Sequence, residues 1–114
     1  MPIPPIQKKL AIKQIEKYCK NKIPEHAQHQ VKSKYALEKN TIILMESRIK
    51  WDDDSVWVDV PIAKMTYEIK SMTWKLYCLL GNGKWTSYDG LAPQKDMQEC
   101  LDEIDADPTY IFGG

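Results

Sequence analysis

Between residues 73 and 89 the chain reads TWKLYCLLGNGKWTSYD, two alternating apolar runs joined at Asn82-Gly83. No other stretch constrains the fold as strongly. Asn-Gly between such runs favours a tight hairpin, because both residues tolerate positive φ at little cost. With a two-residue turn, Leu80 faces Trp85 and Tyr77 faces Tyr88. Alternation then sets Trp74, Leu76, Cys78, Leu80 and Trp85 on one face of the sheet. Lys75, Tyr77, Leu79, Thr86 and Tyr88 fall on the other. The tetrad W-x-x-Y occurs twice, at Trp74…Tyr77 and Trp85…Tyr88. This register divides it, tryptophans on one side and tyrosines on the other. The tryptophan face is continuously apolar and has to be covered, most simply by helices.

Two segments have the pattern to cover it. After the prolines at 2, 4 and 5, residues 6–22 gather Ala11, Ile12, Ile15, Tyr18 and Cys19 on one stripe about 100° wide. Lys9, Lys13, Lys17 and Lys20 lie on the opposite side. Near the C-terminus, Pro93 opens a helix over roughly 93–106, with Met97, Leu101 and Ile104 at i, i+4 and i+7. Its wet side carries Asp96, Glu99, Asp102, Glu103 and Asp105. Asp107-Pro108 stops it ahead of an apolar tail, TYIFGG.

The middle of the chain reads as strands. Residues 31–38 alternate Val31, Ser33, Tyr35 and Leu37 against Lys32, Lys34, Ala36 and Glu38. A Lys39-Asn40 turn leads into 41–49, and the acidic loop WDDDS interrupts the pattern. Residues 56–70 are too long for one flat strand. Pro61 within them predicts an edge, a bulge or two short strands. The class is α+β: an antiparallel meander of about five strands between an N-terminal and a C-terminal helix.

At 114 residues this is a single domain, 1–114, with a core large enough to need no staples. Three cysteines, an odd number with no C-x-x-C pair, predict buried reduced thiols rather than a disulfide framework or zinc site. No apolar run approaches the roughly 20 residues of a membrane span. The N-terminus lacks an apolar signal core, so no export is expected. The net charge of zero hides a division. Residues 1–50 hold eleven Lys/Arg against four Asp/Glu, and residues 51–114 hold five against twelve. A dipolar surface, or two oppositely charged elements that pack together and neutralise each other, would account for it.

Chemistry is harder to find. Glu25-His26-x-x-His29 offers two imidazoles without a third or fourth zinc ligand nearby. Asp52-Asp53-Asp54 lacks the spacing and distal Glu of a calcium loop. No G-x-S-x-G, G-x-G-x-x-G or P-loop sequence occurs, and Cys19, Cys78 and Cys100 sit on predicted core stripes. No catalytic, cofactor or metal residue is assigned.

The segments Ile15-Glu16-Lys17-Tyr18, Pro24-Glu25-His26-Ala27, Pro61-Ile62-Ala63, the two W-x-x-Y tetrads and Glu103-Ile104-Asp105-Ala106-Asp107-Pro108 carry a family resemblance. Over nearly its whole length the chain resembles a bacterial family of short proteins catalogued as domain of unknown function 3024. Its ending departs from the family pattern in lacking a terminal tryptophan. The resemblance implies a cytoplasmic bacterial protein and brings no activity, cofactor or site residue with it.

Two functions remain in view. The preferred one is a non-enzymatic binding or adaptor module with a protein partner, engaged through the leftover sheet face, the acidic loop or the apolar tail. The alternative is a weak single-stranded nucleic-acid binder using Lys9, Lys13, Lys17 and Lys20 with a stacking face of Tyr77 and Tyr88. The zero net charge weighs against the alternative. As a plain cross-strand pair the two tyrosines would stabilise the hairpin by about 0.2–1 kcal/mol.

Overall fold

A computed structural model of the chain describes residues 3–112. Helix α1 (Pro5–Lys22) is followed by a single 3-10 turn at Glu25–Ala27 and five strands: β1 (Val31–Glu38), β2 (Thr41–Lys50), β3 (Asp53–Glu68), β4 (Thr73–Leu79) and β5 (Trp85–Ser87). Helix α2 (Met97–Ala106) closes the order. The strands form one antiparallel meander in the order β1-β2-β3-β4-β5. The fold is therefore α+β, with the expected helix at each end of the sheet. Among the described residues, no helix is long and apolar enough to cross a membrane.

Both helices cover the same face. Ala11 and Ile15 of α1 and Met97, Cys100, Leu101 and Ile104 of α2 share one core with Ile42, Leu44, Met65, Trp74 and Leu76. Trp74 is 1% exposed and meets Tyr67 edge-on, ring centroids 5.2 Å apart. α1 starts on Pro5, where the missing N–H costs nothing because the first turn has no internal acceptor for it. α2 starts at Met97, four residues later than Pro93 predicts. Gln94 first pairs with Trp74 as an extended bridge, and Asp96 then caps the helix by accepting from the Gln98 N–H. Asp96 is thus a cap rather than part of the helix's wet side.

The division of charge is used where α1 meets α2. Lys22 Nζ lies 2.9 Å from Asp105 Oδ1, and Gln14 donates to Asp96 across 2.7 Å. The acidic stretch expected as a loop instead begins β3 at Asp53, and the strand, too long to be flat, is bulged at Pro61 and again between Asp53 and Trp57. Leu44 pairs with Ala63 but Met45 pairs with Pro61, leaving Ile62 as the extra residue.

The last hairpin also departs from the expected register. It has a three-residue loop, Gly81-Asn82-Gly83. Gly83 N–H donates to Leu80 O and Leu80 N–H to Lys84 O, both across 2.9 Å. Gly83 is left-handed at φ 82°, whereas Asn82 is not among the described residues with positive φ, as a two-residue type I′ turn would require. The loop is a turn followed by a left-handed glycine, a common three-residue hairpin. Leu79 therefore pairs with Trp85 and Tyr77 with Ser87. A slip of one residue moves every side chain of β5 to the opposite face. Trp85, expected in the core, lies half-buried on the helix-free face. Leu80, also expected in the core, is 37% exposed at the strand end. Tyr88, expected on the open face, is buried.

Candidate functional site

The sheet face away from the helices is the candidate site. β4 presents Lys75, Tyr77 and Leu79 there, and Lys64 on β3 pairs directly with Tyr77. Trp85 on β5 joins them through its pairing with Leu79. Lys64 Nζ sits 4.8 Å from the Tyr77 ring centroid and 5.1 Å from that of Trp85. Lys75 Nζ approaches Tyr77 at 5.5 Å. A second cluster lies further along the face, where Lys32 Nζ is 4.8 Å from the Trp57 ring. Each ammonium is within the range at which an aromatic quadrupole attracts a cation.

Charge on this face is partly cancelled. Lys34 pairs with Asp59 at 2.8 Å, and this pairing, with Ser47 beside it, holds the Asp59 carboxyl below its ordinary value. No carboxylate lies within 4.0 Å of the Lys32, Lys64 or Lys75 ammonium among the described residues. Those three lysines stand over three aromatic rings without an ion-pair partner among the described residues, with half-buried Ile43, Met45 and Leu79 between them. The surface is aromatic, cationic and uncovered.

The residues singled out in the sequence are not brought together. Lys9, Lys13, Lys17 and Lys20 are exposed on α1, and α1 lies on the other side of the sheet from Tyr77. Lysine helix and aromatic face are two surfaces, not one. Tyr88 leaves the site altogether. It is 7% exposed, and its hydroxyl donates to Glu103 Oε2 across 2.6 Å. That hydrogen bond, with burial, raises the phenol above its ordinary value. Trp85, Lys64 and Trp57 are the site residues that the sequence did not disclose. The Gly81-x-Gly83 spacing was the available signal for the slipped register, since loops of three to five residues containing Gly are also common hairpins.

Elsewhere the surface offers little chemistry. His26 and His29 are both exposed, and among the described residues no group of three or more His, Cys, Asp or Glu is placed to hold a metal ion. Burial pushes the Cys100 thiol up to about 12 and also raises Cys19 and Cys78, so none is a ready thiolate. A cleft of about 210 Å³ between α1 and the end of α2 is lined by Tyr18, Lys22, Leu44, Ile62, Asp105 and Phe112. The buried Tyr18 hydroxyl has no hydrogen-bond partner among the described residues. Of the apolar tail, Phe112 is buried against Tyr88 and Tyr110 is 76% exposed. Residues 113 and 114 lie outside the described residues.

The model of a family described as Domain of unknown function (DUF3024) matches residues 3–114, and the chain belongs to that family. No curated protein and no solved structure matches it.

Proposed function

We propose that this member of the family is a non-enzymatic binding module that engages a protein partner with the helix-free face of its sheet. One observation carries the reading: Lys64 lies between the rings of Tyr77 and Trp85 on a face that no helix covers. Aromatic rings on an open sheet supply contact area at low entropic cost, and aromatic residues are enriched where proteins meet. The unneutralised charge of Lys32, Lys64 and Lys75 selects a partner surface that brings carboxylates among its apolar groups. The non-enzymatic part of the reading rests on the absence of a recognisable nucleophile or phosphate-binding motif in the sequence. We assign the module to the cytoplasm, a reading supported by its three free thiols.

The same cluster favours a second reading. Rings interleaved with ammonium groups are also what a single nucleic-acid strand stacks on, with phosphates answering the lysines. The lysine helix cannot assist there, because it lies on the opposite side of the sheet.

One experiment separates the two. The full chain and a Tyr77→Ser/Trp85→Ser variant are used as bait in the source cell extract, with and without nuclease, and captured proteins are identified by mass spectrometry. The protein-binding reading expects a partner that survives nuclease and is lost from the variant. Capture that disappears with nuclease supports the second reading. Capture unchanged in the variant refutes both.

A further inference from the structure

β1 is the outermost strand of the sheet, joined to β2 on one side only. Its eight residues pair one for one with residues 41–48, from Val31 with Arg48 to Glu38 with Thr41, without a bulge. Every second residue of such a strand turns its N–H and C=O away from the ladder. Among the described residues, no backbone hydrogen bond joins 31–38 to anything but β2. α1 packs over one face of β1, where Tyr35 donates to Glu16 Oε1 across 3.3 Å. Beside that contact a groove of about 570 Å³ lies between helix and strand, lined by Lys17, Cys19, Lys20, Ser33, Lys34 and Tyr35. A second groove, about 250 Å³, continues from Cys19, Lys20 and Ser33 to Lys32. Charge along the two grooves is one-sided. Lys17, Lys20 and Lys32 have no carboxylate within 4.0 Å among the described residues, whereas Lys34 is held by Asp59. Glu16 is the one carboxylate that lines either groove, and the Tyr35 hydroxyl engages it.

We propose that this edge takes an extended acidic segment of a partner protein as a sixth strand of the sheet. Main-chain hydrogen bonds to β1 supply the attachment, and side chains in the groove supply the selection. Successive side chains of an added strand point to opposite faces, so every second one enters the groove beside α1. A carboxylate there meets Lys17 and Lys20, and one on the other face meets Lys32. Lysines along an edge discourage a sheet from pairing with a copy of itself. A second chain bound β1 to β1 would also bring α1 against α1, lysine face to lysine face, and like charges so placed weaken association. The same lysines attract an acidic strand. The site is separate from the aromatic cluster, because α1 lies on one side of the sheet and Tyr77 and Trp85 on the other.

The probe is a fluorescein-labelled peptide as long as β1, alternating glutamate and threonine, titrated against the full chain by anisotropy at low salt. Binding is expected, and a peptide with lysine in place of glutamate should not bind. The double variant Lys17→Glu/Lys20→Glu, both sites exposed, should bind about tenfold more weakly with an unchanged circular dichroism spectrum. Tyr77→Ser/Trp85→Ser should bind like the parent chain. Amide hydrogen exchange locates the peptide. In the complex it should slow at alternate residues of 31–38, which a peptide held by lysine side chains alone would not cause. Absence of binding overturns the proposal, as does equal affinity for the lysine peptide. So does a complex in which exchange along β1 is unchanged, or a chain that dimerises through β1 instead. Binding lost from Tyr77→Ser/Trp85→Ser but kept in Lys17→Glu/Lys20→Glu would place the peptide on the aromatic face, overturning the edge site while leaving the aromatic one standing.

Discussion

Tyr88 donates its hydroxyl to Glu103 Oε2 across 2.6 Å while its ring packs at 5.0 Å from that of Phe112. One side chain just past β5 thus ties the final hairpin to α2 and to the C-terminal tail. Had the hairpin kept a two-residue turn, that phenol would face solvent, and Trp85 would compete for the space under α2. The contact and the three-residue loop are two aspects of one register.

The two tryptophans of the hairpin should therefore respond differently to truncation. Trp74→Ala empties a fully enclosed site and should cost about 3–5 kcal/mol. Trp85→Ala removes a half-exposed ring and should cost about 1 kcal/mol. Denaturant melts of both variants check the register directly, and equal losses would contradict it.

Tyr88→Phe should cost about 1–3 kcal/mol, because it leaves the part-buried Glu103 carboxylate without its donor. It should also alter the alkaline limb of stability. The Glu103 hydrogen bond and burial favour the neutral phenol in the folded state, raising it above the ordinary 10.0. Its contribution is whole below about pH 10 and is lost as the pH climbs through the raised folded value. Thermal melts on either side of pH 10 should show a shallower alkaline decline in the variant than in the parent protein.

Leu101 lies at 0% exposure between α2 and the sheet. Leu101→Asp buries a carboxylate without a partner, and the variant should be unfolded or insoluble. A soluble product with native near-ultraviolet circular dichroism would contradict the packing of α2.

Gly83→Ala should cost about 1–2 kcal/mol, the penalty of holding a Cβ-bearing residue at φ 82°. No heavy atom lies within 4 Å of the Cβ that alanine would add, so the loss is conformational rather than steric crowding. Asn at the same position should recover part of it, since Asn tolerates the left-handed region better. Chemical denaturation of the two variants side by side tests this.

What the sequence determined by itself is what depends on neighbours a few residues apart. The alternation in 31–38 sufficed for β1, and the Lys39-Asn40 turn followed from the end of one run and the start of the next. The spacing of Met97, Leu101 and Ile104 named the buried stripe of α2, and Pro61 showed that β3 could not run flat through that point, though not which irregularity it would take. Trp74 and Leu76 were legible as core because β4 is flanked by strands on both sides and alternates cleanly. The tertiary structure decided what turns on a single residue of register or on where one strand stops. Turn chemistry alone left two hairpin registers open at Gly81-Asn82-Gly83. The choice fell to Tyr88, whose partners Glu103 and Phe112 lie fifteen and twenty-four residues away. The candidate site follows from that choice, since Lys64 meets both Tyr77 and Trp85 only when three strands are aligned across the sheet. How far β3 runs past β4 was also a tertiary outcome, since β4 pairs with it only from Ala63 to Glu68 while its first half lies beside β2 alone. A period of two tells which residues of a strand share a face. Only packing against the rest of the molecule tells which face that is.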